Sequence, residues 1–224
     1  MQPMATRNPA QAAPKAKATR RYTNTRRTAQ AAQTRADVLA AAVELFNEQG
    51  WAATTIAAIA ERAGVAVETV YSGFGSKKAL LQQAADTTVV GDAEPVALFD
   101  RPEIQALGTG PLDDRFRRAI AQNFELQKRG ARVMRACQEA ASADSTWDAW
   151  VLEKTESRRL DTKRILELML ETELDPVTLE LLMVLYSPET YLFLIEHSGW
   201  TRAEYEAHLI EATLALIRSR QPEP

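Results

Sequence analysis

The chain has 224 residues, 46% of them hydrophobic, and its 27 Lys and Arg against 30 Asp and Glu leave a formal charge of -3. That length suits one or two domains with a real core, and the near balance of charge excludes a uniformly basic nucleic-acid coat protein. A single cysteine, Cys137, excludes an intramolecular disulfide framework and fits a reducing, cytoplasmic setting.

The total hides a polarity. Residues 1–36 hold eight basic residues and no acid (+8), residues 37–83 hold three basic and five acidic (-2), and residues 84–224 hold 16 basic and 25 acidic (-9). A basic segment on an acidic body points to a polyanion partner at one end only.

Residues 1–27 carry Pro3, Pro9 and Pro14 among Ala, Thr, Gln and basic residues. With almost nothing apolar to offset its ordering entropy, this segment is expected to be a disordered basic arm. It has no apolar signal-peptide core, while its Ala- and Arg-rich, acid-free composition also fits an organellar transit peptide.

From Thr28 the pattern is helical. Val38, Ala42, Leu45 and Phe46 share one face, and Gly50 follows as a left-handed C-terminal cap. Thr55 is the expected N-cap of a second helix whose apolar face is Ile56, Ile59 and Ala60, and Gly64 breaks it. Ser76 precedes a helix over residues 77–90, and Pro102 and Pro111 sit where a first-turn proline is tolerated. Asp175-Pro176 and Ser187-Pro188 each read as a cap followed by proline at the first helical position. Thr201 to Glu204 is a capping box, with Trp200 and Tyr205 as its hydrophobic staple. Tyr205, Leu209, Ala212 and Leu216 share the apolar face expected of the last helix. No segment alternates with period two, so the fold class is all-α. No apolar run reaches the roughly 18 residues of a membrane helix, because Leu181–Tyr186 and Tyr191–Ile195 are split by Ser-Pro-Glu-Thr.

The stretch from Thr55 to Tyr71 gives two short helices, a Gly-containing turn and a supporting helix before them, which fits a helix-turn-helix or an ordinary helical hairpin. The flanking residues bear on that choice: Val43-Glu-Leu-Phe46, Gly50-Trp51, Thr54-Thr55, Ile59-Ala60, Ala63-Gly64-Val65, Thr69-Val70-Tyr71, Phe74 and Ser76-Lys77-Lys78-Ala79-Leu80-Leu81. At this spacing they resemble the DNA-binding domain of tetracycline-repressor-like (TetR-family) regulators, over residues 36–83.

The resemblance implies a homodimeric transcription regulator, usually a repressor, with residues 28–83 as a three-helix DNA-binding domain and 84–220 as a helical effector and dimerisation domain. It implies a double-stranded DNA operator, a small-molecule effector, no catalytic residue, no metal and no cofactor. The alternative is a helical ligand-binding or interaction protein with degenerate DNA binding. Residues 66–72 become the recognition helix, with Ala66, Val67 and Thr69 nearest the base edges, and Tyr71 and Lys77 on phosphates. Thr55 either holds a phosphate or only caps its helix. Ala66 departs from the family's capping Ser, and Gly73 from its His or Tyr. That helix face offers no Arg–guanine fork, so Arg20, Arg21, Arg26 and Arg27 of the arm are expected to reach a neighbouring minor groove. Dimerisation is expected through Leu181, Val184, Leu185, Leu209, Ala212 and Leu216. The ligand pocket is expected among Phe116, Phe124, Met134, Cys137, Trp147, Trp150, Met169 and Tyr186, each of which has plain core packing as its alternative. The resemblance also implies that ligand binding moves the fourth helix, near Ser76.

Overall fold

The computed structural model describes residues 15–90 and 96–220, the side chains of 15–26, 89, 90 and 220 excepted. Among the described residues the regular structure is all helical. Helices α1 (Lys15–Ala53), α2 (Ile56–Arg62), α3 (Val67–Phe74) and α4 (Lys77–Val90) come first. The body follows with α5 (Pro102–Gln105), α6 (Leu112–Ala143), α7 (Asp148–Leu170), α8 (Pro176–Leu185), α9 (Pro188–Leu192) and α10 (Arg202–Arg220).

Local chemistry sets most boundaries. Gly50 takes φ 71° and kinks α1 three residues before its end, a conformation that costs glycine little. Asp175 accepts from the amides of Val177 and Thr178, and Ser187 from that of Thr190, each just before a first-position proline. Around α10 the capping box closes both ways: the Thr201 amide donates to Glu204 at 2.8 Å, and the Glu204 amide to Thr201 Oγ1 at 3.3 Å. Pro111 stands at the N-cap of α6, one place before the helical turn expected for it.

Two expectations differ from the structure. Disorder was expected through residue 27, but α1 begins at Lys15; residues 1–14 lie outside the described part. From Lys15 to Gln49 the sequence has neither Pro nor Gly. A helix already nucleated by the packed part of α1 therefore extends backwards with no breaker to stop it, its Ala, Lys and Arg offsetting the weaker Thr and Asn. On α10 the fully or nearly buried row is Tyr205, Leu209, Thr213 and Ile217, while Ala212 is exposed. Thr213 belongs there because its hydroxyl bonds the Tyr186 hydroxyl at 2.6 Å.

The hydrophobic core does not break at residue 84. Val38, Phe46, Ile59, Val70 and Leu80 share one cluster with Val133, Ala136, Cys137 and Ala140 of α6 and with Trp147. Two further clusters fill the body, one around Phe116, Met169 and Leu182, the other around Phe124, Tyr191 and Tyr205. The segment Pro176–His197 is long and apolar enough by composition to cross a membrane. It is nonetheless two helices broken at Ser187-Pro188, and Leu179, Leu182, Tyr191 and Leu192 are buried within the chain.

Candidate nucleic-acid interface

Helices α2 and α3 meet across a turn in which Gly64 takes φ 67°. Ile56, Ile59, Ala60, Val70 and Phe74 bury the inner face. Ala57, Ala66, Glu68, Thr69, Tyr71, Ser72 and Gly73 are left on the outside, Tyr71 at 52% exposure. Thr55 accepts from the Ala58 amide at 3.1 Å, so its side chain caps α2. Ala66 caps α3 with backbone alone. Val67 is half-buried and packs on the first core, because it lies one turn before Val70 on the same face. Ala66 and Thr69 are the more accessible of the three residues expected at base edges.

The cations are arranged differently from the expectation. The Lys77 ammonium turns inward: it donates to the Trp51 carbonyl and stands 4.0 Å from the Trp51 ring centroid. Burial holds its pKa below the usual lysine value. Arg27 is exposed, while the side chains of Arg20, Arg21 and Arg26 lie outside the described residues. Arg35 was not singled out from the sequence, yet it clamps three elements. Its guanidinium donates to the Gly73 carbonyl at 2.8 Å and to Gln83, and it lies 4.4 Å from the Phe74 centroid. It therefore ties α1 to the C-terminal end of α3 and to α4. Arg62 bridges to Glu44 and Glu48 on α1, which docks α2 on the same support.

A short exposed helix held across a Gly turn by a supporting helix is the geometry of a DNA-reading helix-turn-helix. Residues 38–84 match the family model of bacterial regulatory proteins of the tetR family. Residues 38–84 are thus a tetR-type domain. No curated protein matches it. Similar solved structures include a Mesorhizobium loti protein assigned to that family, at 20% identity and TM-score 0.64, covering 84% of this chain and 97% of the other. A tetR-family transcriptional regulator from Streptomyces coelicolor aligns at 24% identity and TM-score 0.60, over 84% of this chain and 81% of its own. NalD, the secondary repressor of the MexAB-OprM multidrug efflux pump in Pseudomonas aeruginosa, aligns at 20% and TM-score 0.53, over 83% and 96%. At such identities these likenesses establish the fold.

Behind the tetR-type domain the body holds a half-open cavity of about 950 Å³, walled by α4, α6, α7 and neighbouring segments. Met134, Trp150, Met169 and Tyr186 line it. Phe116, Phe124, Cys137 and Trp147 do not, which corrects the expectation from sequence. Phe116 sits wholly inside the second core, and Phe124 makes edge contacts with Tyr191 and Tyr205. Cys137 and Trp147 belong to the first core. Burial pushes the Cys137 thiol up to about 12, which makes it an inert core residue. The polar walls, Gln122, Gln127 and Asp161 among them, were not expected from the sequence. Soft and aromatic side chains are the usual signal of a pocket, and an amide on a long helix gives none.

Rings connect the cavity to the reading head. Trp150 in the wall meets Trp147 edge-on at 5.6 Å, Trp147 meets Trp51 at 5.9 Å, and Trp51 stacks near Phe46 at 6.3 Å.

The expected dimer residues divide. On α8, Leu181 and Val184 are exposed together with Val177, a row at i, i+4 and i+7 in which Val184 reaches 65%. Ala212 is exposed; Leu185 and Leu216 are half-buried against the body. Leu209 is 2% exposed and packs with Tyr205 and Ile120, so its side chain is spent on the chain's own core.

Proposed function

We propose that this tetR-family DNA-binding regulator is a cytoplasmic, ligand-responsive repressor that binds a palindromic operator as a homodimer and is released by a small molecule. The observation that carries this reading is the shared wall. Ala85, Asp86 and Thr88 of α4 line the cavity, and the same helix begins at Lys77, against Trp51 of the DNA-binding domain. A ligand that fits one placement of α4 better than another shifts the population between them, and it acts only through that difference. Half-sites lie about 34–36 Å apart or a multiple of it, so a modest change in the separation of two α3 helices lowers operator affinity.

Homodimerisation is supported by the exposed row Val177, Leu181 and Val184, with Ala212 on α10, which leaves apolar surface in need of a partner. On the DNA, Ala66, Thr69 and Tyr71 face the operator, and Val67 supports them from behind. Arg20, Arg21, Arg26 and Arg27 add phosphate or minor-groove contacts; this is favoured by the lack of any Arg or Lys on α3 and by the net -2 of residues 37–83. NalD's role as an efflux-pump repressor is in keeping with repression here.

Footprinting on DNA flanking the chain's own gene tests the reading, and a palindromic protected site is expected. Binding that is salt-sensitive but blind to sequence refutes it and favours a helical ligand-binding protein with degenerate DNA binding. Deleting residues 1–27 should flatten the plot of log K against log salt by about 0.9 for each phosphate the arm neutralises, and an unchanged slope removes the arm from the interface.

A further inference from the structure

We infer that the cavity takes a largely apolar, uncharged ligand that presents a hydrogen-bond donor to the side-chain carbonyl of Gln127, with Gln122 as a second acceptor. This rests on reading the cavity as the effector site. Gln127 of α6 lines the cavity and is only 3% exposed. Its Nε2 donates to the Tyr186 backbone carbonyl at 2.8 Å. That carbonyl can only accept, so the amide cannot be flipped, and Oε1 must point the other way. Oε1 is buried and has no partner among the described residues. Gln122, also in the wall, repeats the pattern: Nε2 donates to the Glu103 carbonyl at 3.4 Å, and Oε1 is buried and unpartnered among the described residues. Buried amide carbonyls are ordinarily satisfied, and one left unmade is unfavourable. A donor-bearing ligand that turns either amide toward the cavity gains a bond to Oε1 at the cost of bending the existing Nε2 bond.

The rest of the wall is nearly balanced in charge, with Arg101, Arg129, Lys154, Arg158 and Arg202 against Asp86, Glu103, Glu125 and Asp161, which favours an uncharged molecule. Three ion pairs join lining residues to each other: Asp86 with Lys154 at 2.8 Å, Glu125 with Arg202 at 2.6 Å, and Arg101 with Glu103 at 4.0 Å. Asp161, half-buried in the wall, is held above the ordinary carboxylate value by burial, the mark of a poorly solvated stretch that disfavours a charged ligand. Ile104, Leu107, Ile165, Leu166, Met169 and Trp150 supply apolar surface. The volume, about 950 Å³, is at the top of the usual range for drug-sized ligands.

Three probes with one skeleton separate the possibilities: 4-phenylphenol, 4-methoxybiphenyl and biphenyl-4-carboxylate, titrated calorimetrically into the full-length protein. The phenol should bind about tenfold tighter than the ether, the worth of one neutral hydrogen bond. Gln127→Met should reduce that ratio towards one while leaving ether binding unchanged. Should Gln127→Met fail to fold, Gln122→Met, whose donor bond is longer, should reduce the ratio in part. Equal binding of phenol and ether overturns the donor inference and leaves the effector cavity standing. Preference for the carboxylate overturns it in favour of the wall arginines. If no probe binds at all, the effector-cavity reading falls and takes this inference with it.

Discussion

The reading head and the body approach each other tightly at Gly130 of α6. A Cβ built there would lie 2.7 Å from Thr88 Oγ1 and 3.0 Å from Thr88 Cβ. Thr88 is 4% exposed, and its hydroxyl donates to the Ala85 carbonyl at 2.8 Å. Rotating its χ1 can carry the hydroxyl out of the contact, but the Cβ at 3.0 Å does not move. In Gly130→Ala, then, α4 and α6 must part by a few tenths of an ångström. Two terms oppose each other: overpacking a fitted contact costs about 1–3 kcal/mol, and replacing a mid-helix glycine returns about 1 kcal/mol. Gly130→Ala alone should therefore destabilise by about 0–2 kcal/mol. In a Thr88→Ala background the 2.7 Å contact with Oγ1 is gone and only the 3.0 Å one with Cβ remains, so the same change should be close to neutral, within about 0.5 kcal/mol. Urea unfolding of the four proteins should give a coupling energy of about 0.5–2 kcal/mol. Additive behaviour, with Gly130→Ala stabilising in both backgrounds, would refute the reasoning. DNA binding by Gly130→Ala should weaken beyond what stability explains, since α4 is the displaced element.

Three further outcomes are expected. Tyr71→Phe, at an exposed position, should leave stability within about 0.5 kcal/mol and weaken operator binding about fivefold to tenfold in a gel-shift titration; unchanged affinity would remove the phenol from the interface. Cys137 should resist a thiol reagent at pH 8 in the native state and react only after unfolding. Its folded pKa, about 12, exceeds the ordinary value of 9.0, so the folded state keeps a proton that the unfolded state releases. Its contribution to stability is thus complete below pH 9 and declines between pH 9 and 12, at up to about 1.4 kcal/mol per pH unit, in denaturant titrations compared with Cys137→Ala. Gly50→Ala should destabilise by about 1–2 kcal/mol, because φ is 71° and the new Cβ would lie 3.0 Å from a Glu139 carboxylate oxygen; thermal melts that match the parent protein would contradict the positive φ.

What was legible in the sequence was mostly local. Gly50, Gly64, Asp175, Ser187 and Thr201 fix caps and turns through their own backbone preferences and nearest amides, so single residues mark the helix ends. The inner face of the helix-turn-helix was equally readable, since Ile56, Ile59 and Val70 leave a short helix no other way to be buried. Partner choice was not legible. Phe116 and Trp147 look in sequence just like Met169 and Trp150, and only the packing of α6 against α4, α7 and α9 decides which faces core and which faces cavity. Thr213 was passed over because a polar residue in a buried row makes sense only once the Tyr186 hydroxyl is opposite it. Arg35 was counted as one more charge of a basic segment, although its partners are 38 and 48 residues away.

The joint core makes the DNA-reading head poorly portable. Trp51 and Phe46 are roofed by Trp147, and Leu80 and Ala84 share a cluster with Val133 and Ala136. A chimera cut at residue 83 and grafted onto another regulator's body would bring about two thirds of that interior and lose its roof. Exchange of operator specificity is simpler at the exposed positions of α3, where Ala66, Glu68, Thr69 and Ser72 can change without touching the interior. The head is thus open to rewriting on its outer surface and tied to this body within.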